Sequence, residues 1–240
     1  MREVVISGGG TGIGLACAQA FVRDGDRVTI IGRRADVLSA ATERLGPSAR
    51  ALPADLTDPS AVAALAAGID RVDVIVNNAG AGTSFGPKET LAEVATAWRR
   101  EFDVNVLTTV LLTTALLPKL TRPGGRIIGV SSIAALRGGA GAYSAAKAAL
   151  HGWALDLAGD LAPSGVTVNV VAPGFVPTTE FFAGRLTDEF YASRVSQIPV
   201  GRPGEPAEIA AAVRYLASPE AAFVTGQILQ VNGGALPGRG

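Results

Sequence analysis

A single cysteine, Cys17, and a single histidine, His151, are too few to assemble a tetrahedral nitrogen and sulfur metal site. No ordered spacing of carboxylates resembles a calcium loop either. One cysteine cannot build a disulfide framework, which fits a reducing cytoplasm. Excess charge of one sign is missing as well, since 21 basic and 21 acidic residues balance. Without a basic block, nucleic acid and anionic membrane are poor partners. No apolar run free of glycine, proline and charge is long enough to span a bilayer, and an apolar strand starting at residue 2 leaves no room for a signal peptide. Lysine is also scarce: Lys88, Lys119 and Lys147 stand alone among basic residues that are otherwise arginine.

What the chain does hold is apolar. With 48% hydrophobic and 18% charged residues and no linker, residues 1–240 suit one large core in a single α/β domain. Short β-branched runs recur at Val4-Val5-Ile6, Arg27 to Ile31, Val72 to Val76, Arg126 to Val130, Val166 to Val171 and Gln227 to Val231, with Ala/Leu-rich stretches between them. Continuous apolar strands alternating with helical stretches predict a doubly wound, Rossmann-type parallel sheet, counted as seven strands. Such sheets bind ligands beyond the carboxyl ends of their strands. Polar or Gly-rich clusters do follow the strands: Gly8 to Gly14, Arg33, Asp55-Leu56, Asn77 to Gly80, Ser131-Ser132 and Pro173-Gly174. Any one could be an ordinary loop, but their joint placement predicts a shared cofactor crevice.

The first cluster, Ser7-Gly8-Gly9-Gly10-Thr11-Gly12-Ile13-Gly14, lies between a strand and an alanine-rich helix. Glycines let backbone approach a pyrophosphate, and the helix N-terminus attracts its charge. The spacing of Gly8, Gly12 and Gly14 departs from the G-x-G-x-x-G fingerprint, so alone it is weak evidence, with a flexible turn as the other reading. After the second strand, where an NAD site would offer a carboxylate, the chain has Arg33 and Arg34. A guanidinium fork matches a phosphate, so Arg33 points to the 2′-phosphate of NADP, while Arg34 is expected to solvate the next helix.

Tyr143 and Lys147 stand four residues apart in an alanine-rich run and therefore share a helix face. An ammonium beside a phenol favours the phenolate, making the tyrosine a proton donor and acceptor near neutral pH. Lowering a tyrosine from about 10 to about 7 requires roughly 4 kcal/mol. A unit charge ~6 Å away at an effective dielectric of ~20 supplies about 3 kcal/mol. A nearby oxidised nicotinamide would complete the shift. His151, two turns beyond Tyr143, reads as a buried or interface histidine without a catalytic role.

Taken in order, Ser-Gly-x-x-x-Gly-x-Gly, Asn-Asn-Ala-Gly, a serine before Tyr-x-x-x-Lys, Pro173-Gly174 and the closing Val231-Asn232-Gly233-Gly234 make the chain resemble the short-chain dehydrogenase/reductase family. It looks most like the family's 3-oxoacyl-thioester reductases. The resemblance implies an NADP(H)-dependent oxidoreductase acting on a small-molecule ketone or secondary alcohol. In it Tyr143 donates the proton, Ser132 (with Ser131 as runner-up) holds the substrate oxygen, and Lys147 binds the nicotinamide ribose. Asn105 positions a water linked to the lysine. For the cofactor it implies Gly8, Gly10, Thr11, Gly12, Ile13 and Gly14 around the pyrophosphate, Asp55 and Leu56 at the adenine, and Asn78, Ala79 and Gly80 beside the ribose. Pro173, Gly174, Val176 and Thr178 match the nicotinamide end. Asp73 and Asn77 read as structural. Ser132 stands eleven residues before Tyr143, two fewer than is usual, so the loop from Ile133 to Ala142 is shortened.

Residues 176–202, with Phe181-Phe182 and Phe190-Tyr191, read as an apolar substrate lid suited to a hydrophobic or acyl ketone. Carrier-protein reductases of the family place basic residues where this chain has Pro123 and Ser164, which argues against a dedicated carrier-docking site. The resemblance also implies a homotetramer joined through the helices of Asn105 and Tyr143. Two other readings are a non-catalytic NADP-binding sensor or scaffold, and a lyase or epimerase. The presence of Asn105, Ser132, Tyr143 and Lys147 weighs against the first, and the lack of a separate substrate domain against the second.

Overall fold

The computed structural model describes residues 1–82, 90–182, 184 and 186–236. Seven parallel strands form one sheet: β1 (Glu3–Ser7), β2 (Arg27–Gly32), β3 (Ala49–Pro53), β4 (Val74–Asn77), β5 (Arg126–Val130), β6 (Thr167–Pro173) and β7 (Ile228–Val231). Their spatial order is β3-β2-β1-β4-β5-β6-β7. The seven-stranded Rossmann-type sheet expected from the sequence is therefore present. Β-branched and aliphatic side chains dominate the central strands because both faces are covered, and every residue of β5 and β6 is buried. The edge strands β3 and β7 are only partly buried.

Alternation along each strand splits the core in two. Val4, Ile6, Val28, Ile30, Val74, Val76 and Ile128 face α1 (Gly12–Arg23), α2 (Ala35–Leu45) and α9 (Pro206–Leu216). Val5, Ile31, Ile75, Ile127 and Val168 face α3 (Pro59–Ala67), α5 (Thr108–Leu116) and α7 (Ala142–Leu161). A fully buried aliphatic side chain contributes about 1.5–3 kcal/mol, so either layer supplies many times the stability of any single polar contact. Among the described residues no helix is long and apolar enough to cross a membrane.

The strand order reverses between β1 and β4, and this crossover opens a crevice at their carboxyl ends. Asn78 ties it together. Its Nδ2 donates to the carbonyls of Ser7 and Gly8 at 3.1 Å each, while the amides of Asn78 and Ala79 donate to Ser7 Oγ. Gly8 has φ of 64°, and Gly14, in the first turn of α1, passes beneath it so closely that a Cβ on Gly14 would land on the Gly8 carbonyl. Glycine at these two places permits the turn and the helix to meet.

Three further helical pieces place the chemistry. The helix α4 (Leu91–Phe102) begins at a Thr90/Glu93 capping box and runs into a π turn, Asp103–Leu107, before α5. A short helix, α6 (Ala134–Arg137), fills the shortened loop before Tyr143. A further helix, α8 (Asp188–Val195), lies in the 176–202 segment behind a 3-10 turn at Glu180–Phe182. Asp73 and Asn77 have structural partners: Asp73 accepts from the Glu3 amide at 2.8 Å and from Arg71, and Asn77 donates to Thr113.

Candidate active site

A cleft of about 310 Å³ runs along the carboxyl ends of the strands, across the crossover. Gly8, Gly10, Thr11, Gly12 and Ile13 form one rim. Arg33, Asp55 and Leu56 form the wall at one end, and Asn78, Ala79 and Gly80 line the middle. Ser131, Ser132, Tyr143, Lys147, Pro173, Gly174 and Val176 close the other end. Three residues singled out from the sequence lie outside this lining. Gly14 is buried beneath Gly8, and Asn105 sits behind Gly80. Thr178 is exposed, and its neighbour Thr179 lines the cleft instead, bonded through Oγ1 to the Val176 carbonyl.

The glycine rim fits a dinucleotide. A Cβ on Gly8 would come within 2.8 Å of Asn78 Nδ2, and one on Gly10 within 3.1 Å of Val37 Cγ1, so side chains there would have to displace the cleft wall. At the start of α1 the Thr11 side chain makes no capping bond, which leaves first-turn amides open to an anion. Asp55 is held by its own turn: Thr57 donates to Oδ1 from its amide at 2.9 Å and its hydroxyl at 2.8 Å, and the amide bond chiefly lowers the carboxyl pKa. Arg33 is exposed and makes no hydrogen bond to another described residue. Arg34 differs from expectation. Its guanidinium crosses the cleft mouth to Glu180, 2.6 Å away, instead of only solvating α2.

At the opposite end the buried face of α7 presents Tyr143, Lys147 and His151 on successive turns, with exposures of 8%, 4% and 9%. Lys147 Nζ lies 5.8 Å from the Tyr143 ring centroid and donates to the Val130 carbonyl at 3.1 Å. Burial lowers the lysine pKa to about 8, against a smaller upward pull from the Glu101 carboxylate. The ring of Phe181 lies 5.0 Å from that of Tyr143.

The two serines separate cleanly. Ser131 Oγ is buried, 3.1 Å from the Lys147 carbonyl and 2.8 Å from His151 Nε2, so its hydroxyl serves the helix. A hydroxyl has one hydrogen to give; when that goes to the carbonyl, His151 Nε2 carries the proton shared with Ser131. Ser132 Oγ is half-buried at the cleft and accepts from the Ala134 amide at 3.1 Å, which leaves its own hydrogen for a ligand. Asn105 is fully buried: Nδ2 donates to the Ala81 carbonyl at 2.8 Å and to Glu101 Oε2 at 2.9 Å, and Oδ1 accepts from the Ala81 amide at 3.2 Å. Glu101 is the functional-site neighbour that sequence reasoning missed. Its four-residue spacing before Asn105 was a usable signal, but burial of a glutamate is not.

A doubly wound sheet with a glycine rim at its crossover and a buried tyrosine and lysine at the far end defines a dinucleotide-dependent oxidoreductase. Comparison with known proteins agrees. Residues 8–235 match a family profile described as "Enoyl-(Acyl carrier protein) reductase". The chain is 37% identical to the 3-oxoacyl-[acyl-carrier-protein] reductase FabG of Vibrio harveyi, covering 97% of this chain and 96% of the relative. It is also 37% identical to galactitol 2-dehydrogenase (L-tagatose-forming) of Cereibacter sphaeroides, covering 95% and 92%. Among solved structures, the Pseudomonas aeruginosa RhlG/NADP active-site complex superposes with a TM-score of 0.88 at 30% identity, covering 98% of this chain and 96% of that one. A short-chain type dehydrogenase/reductase from Mycobacterium ulcerans gives 0.90 at 32% identity, covering 98% and 89%. The chain belongs to the short-chain dehydrogenase/reductase family, whose members are nicotinamide-dependent oxidoreductases.

The lysine sets a pH limit. Its value of about 8 lies below the ordinary 10.5, so the ammonium predominates only below about pH 8. A reaction that needs that charge is expected to lose rate as pH rises through this value. A rate profile in which kcat/KM stays level up to pH 10 would show that the charge on Lys147 is not required.

Proposed function

We propose that the protein is an NADP(H)-dependent ketone reductase, reversible on secondary alcohols, with a hydrophobic or 3-oxoacyl-type carbonyl as substrate. The observation that carries this reading is that Ser132, Tyr143 and Lys147 line one end of a cleft whose other end carries Arg33. When bound, the nicotinamide supplies or accepts the hydride. Gly10 to Ile13 and the open amides of α1 would hold the pyrophosphate, Asp55 and Leu56 the adenine end, Asn78 to Gly80 the ribose, and Pro173, Gly174 and Val176 the nicotinamide end. The unengaged fork of Arg33 suits a 2′-phosphate.

The remaining chemistry is the chain's own. As negative charge grows on the substrate oxygen, the Tyr143 phenol gives up its proton to it and Ser132 Oγ donates the hydrogen that Ala134 leaves free. The ammonium 5.8 Å from the phenol ring stabilises the phenolate that remains, by about 3 kcal/mol at an effective dielectric of ~20. Phe181 and Phe182 wall this end of the cleft and keep water from the transferring proton. Behind them Phe175 packs on Phe182 at 5.1 Å and on Tyr191 at 5.7 Å, contacts that support reading the 176–202 segment as an apolar lid. That wall favours apolar ketones over polyols, although a relative of equal identity bears a sugar-alcohol name.

The direct test follows NADPH oxidation with an acetoacetyl thioester mimic and a set of apolar ketones. Tyr143→Phe is expected to lower kcat about 10³-fold, the size of a lost general acid. Undiminished turnover in that variant would remove the tyrosine from the chemistry. For cofactor choice, Arg33→Ala should weaken NADPH binding by roughly 10- to 100-fold, as loss of a charged hydrogen bond does, while NADH binding holds. An unchanged ratio of the two affinities would sink the assignment of Arg33.

The same reading places the enzyme in the cytoplasm as a homotetramer. Leu91 (88% exposed) and Trp98 (45%) on α4 and Leu155 (52%) on α7 are apolar side chains such an interface would cover. Light scattering is expected to give four chain masses, and one chain mass would exclude the assembly.

A further inference from the structure

The helix α4 is exposed or half-buried at every position but one, and that one is a glutamate: Glu101 has 0% exposure. Glutamate is almost never fully buried unless other groups compensate its charge. Compensating groups among the described residues include two on neighbouring elements. The Asn105 amide donates to Oε2 at 2.9 Å across the π turn, and the Lys147 ammonium, on the helix packed against α4, feels the carboxylate. Asn105 and Lys147 meet at Gly80, where an added Cβ would come within 2.6 Å of Asn105 Oδ1 and 2.9 Å of Lys147 Nζ, and Glu101 holds the other end of the Asn105 amide. A carboxylate can only accept, so Glu101 also decides which end of the Asn105 amide carries the hydrogens. With Nδ2 directed at Glu101 and the Ala81 carbonyl, Oδ1 is left to receive the Ala81 amide, and the strand-end backbone beside Lys147 is clamped.

We propose that Glu101 is a positioning residue of the active site, its buried carboxylate fixing the Asn105 amide and keeping Lys147 in its ammonium form. The role assigned to Lys147 in ketone reduction gives this its purpose and rests on the proposed function above. Among the described residues, the titratable groups around Lys147 are Glu101 on α4 and, on its own helix, Tyr143 one turn back and His151 one turn on. Arg99, Arg100 and Asp103 are exposed on the outer side of α4 and the π turn. Burial disfavours the charged form of His151, so it adds no competing cation, and Glu101 is the carboxylate of this group that offsets the desolvation of Lys147.

The scarcity of lysine makes the test direct. With ε-13C-labelled lysine the protein shows only Lys88, Lys119 and Lys147, and Lys147→Arg identifies the third resonance. The titration midpoint of Lys147 is then measured in the intact protein, in Glu101→Gln, in the volume-matched Glu101→Met and in Glu101→Asp. Removing the charge in the Gln or Met variant is expected to lower the midpoint by about one pH unit, the effect of a unit charge ~10 Å away at an effective dielectric of ~20. Glu101→Asp should restore most of it, and the alkaline limb of kcat/KM should move in step. Should Glu101→Gln fail to fold, the apolar Met variant carries the measurement alone. A Lys147 midpoint in either neutral variant equal to that of the unaltered protein overturns the proposal. Because the titration needs no turnover, failure of the ketone assay would count against the reductase reading and leave this result standing.

Discussion

An ammonium group with almost no access to water, at Lys147, is the constraint around which this structure is arranged. Desolvation disfavours its charge, and the chain answers with partners drawn from four separate elements. A carbonyl at the end of β5 accepts a hydrogen bond from it, and Gly80, just beyond β4, leaves the room it needs. The π turn delivers Asn105, and α4 delivers the carboxylate of Glu101. Each of these depends on the strand order, because only the crossover between β1 and β4 brings the ends of β4 and β5 beside the buried face of α7. The same crossover places the glycine rim at the other end of the cleft. The fold therefore brings the glycine rim and the Tyr143 and Lys147 pair to one cleft through one topological feature.

Much of this was legible in the sequence because it is written locally. Apolar β-branched runs marked six of the seven strands to within a few residues: the run from Val72 became β4 at Val74, since Val72 makes only an isolated bridge to Leu120, whereas the partly exposed edge strand β3 carries no such run. The Tyr143 and Lys147 spacing survives as one face of α7 because helical period depends on nothing distant. What was not legible is tertiary. Nothing in Glu101, flanked by Arg100 and Phe102, marks it as buried until α4 meets α7. The π turn likewise interrupts a stretch, Val104 to Leu112, that reads as continuous apolar helix. Thr178 and Thr179 are alike as residue types, and only the bend of the backbone after Val176 decides which one faces the cleft. The serines show the same limit: two identical neighbours differ because Ser131 meets the underside of α7 and Ser132 the cleft.

Two adjacent residues of the 176–202 segment touch opposite ends of the cleft, Glu180 at Arg34 and Phe181 at Tyr143. Their energetic weights differ. The ion pair is more than half exposed on both sides, and surface pairs of this kind contribute about 0–1 kcal/mol, screened further by salt. The aromatic contacts form a continuous set from Tyr143 through Phe181 and Phe182 to Phe175, and each such pair adds roughly 0.5–1.5 kcal/mol beyond the area it buries. The segment is thus held mainly by packing over the reacting end and only lightly at the arginine end. On the function proposed above, an asymmetric attachment of that kind would let the arginine pair yield to an incoming anion without disturbing the apolar wall over Tyr143, so that cofactor entry and substrate enclosure need not compete for the same contacts.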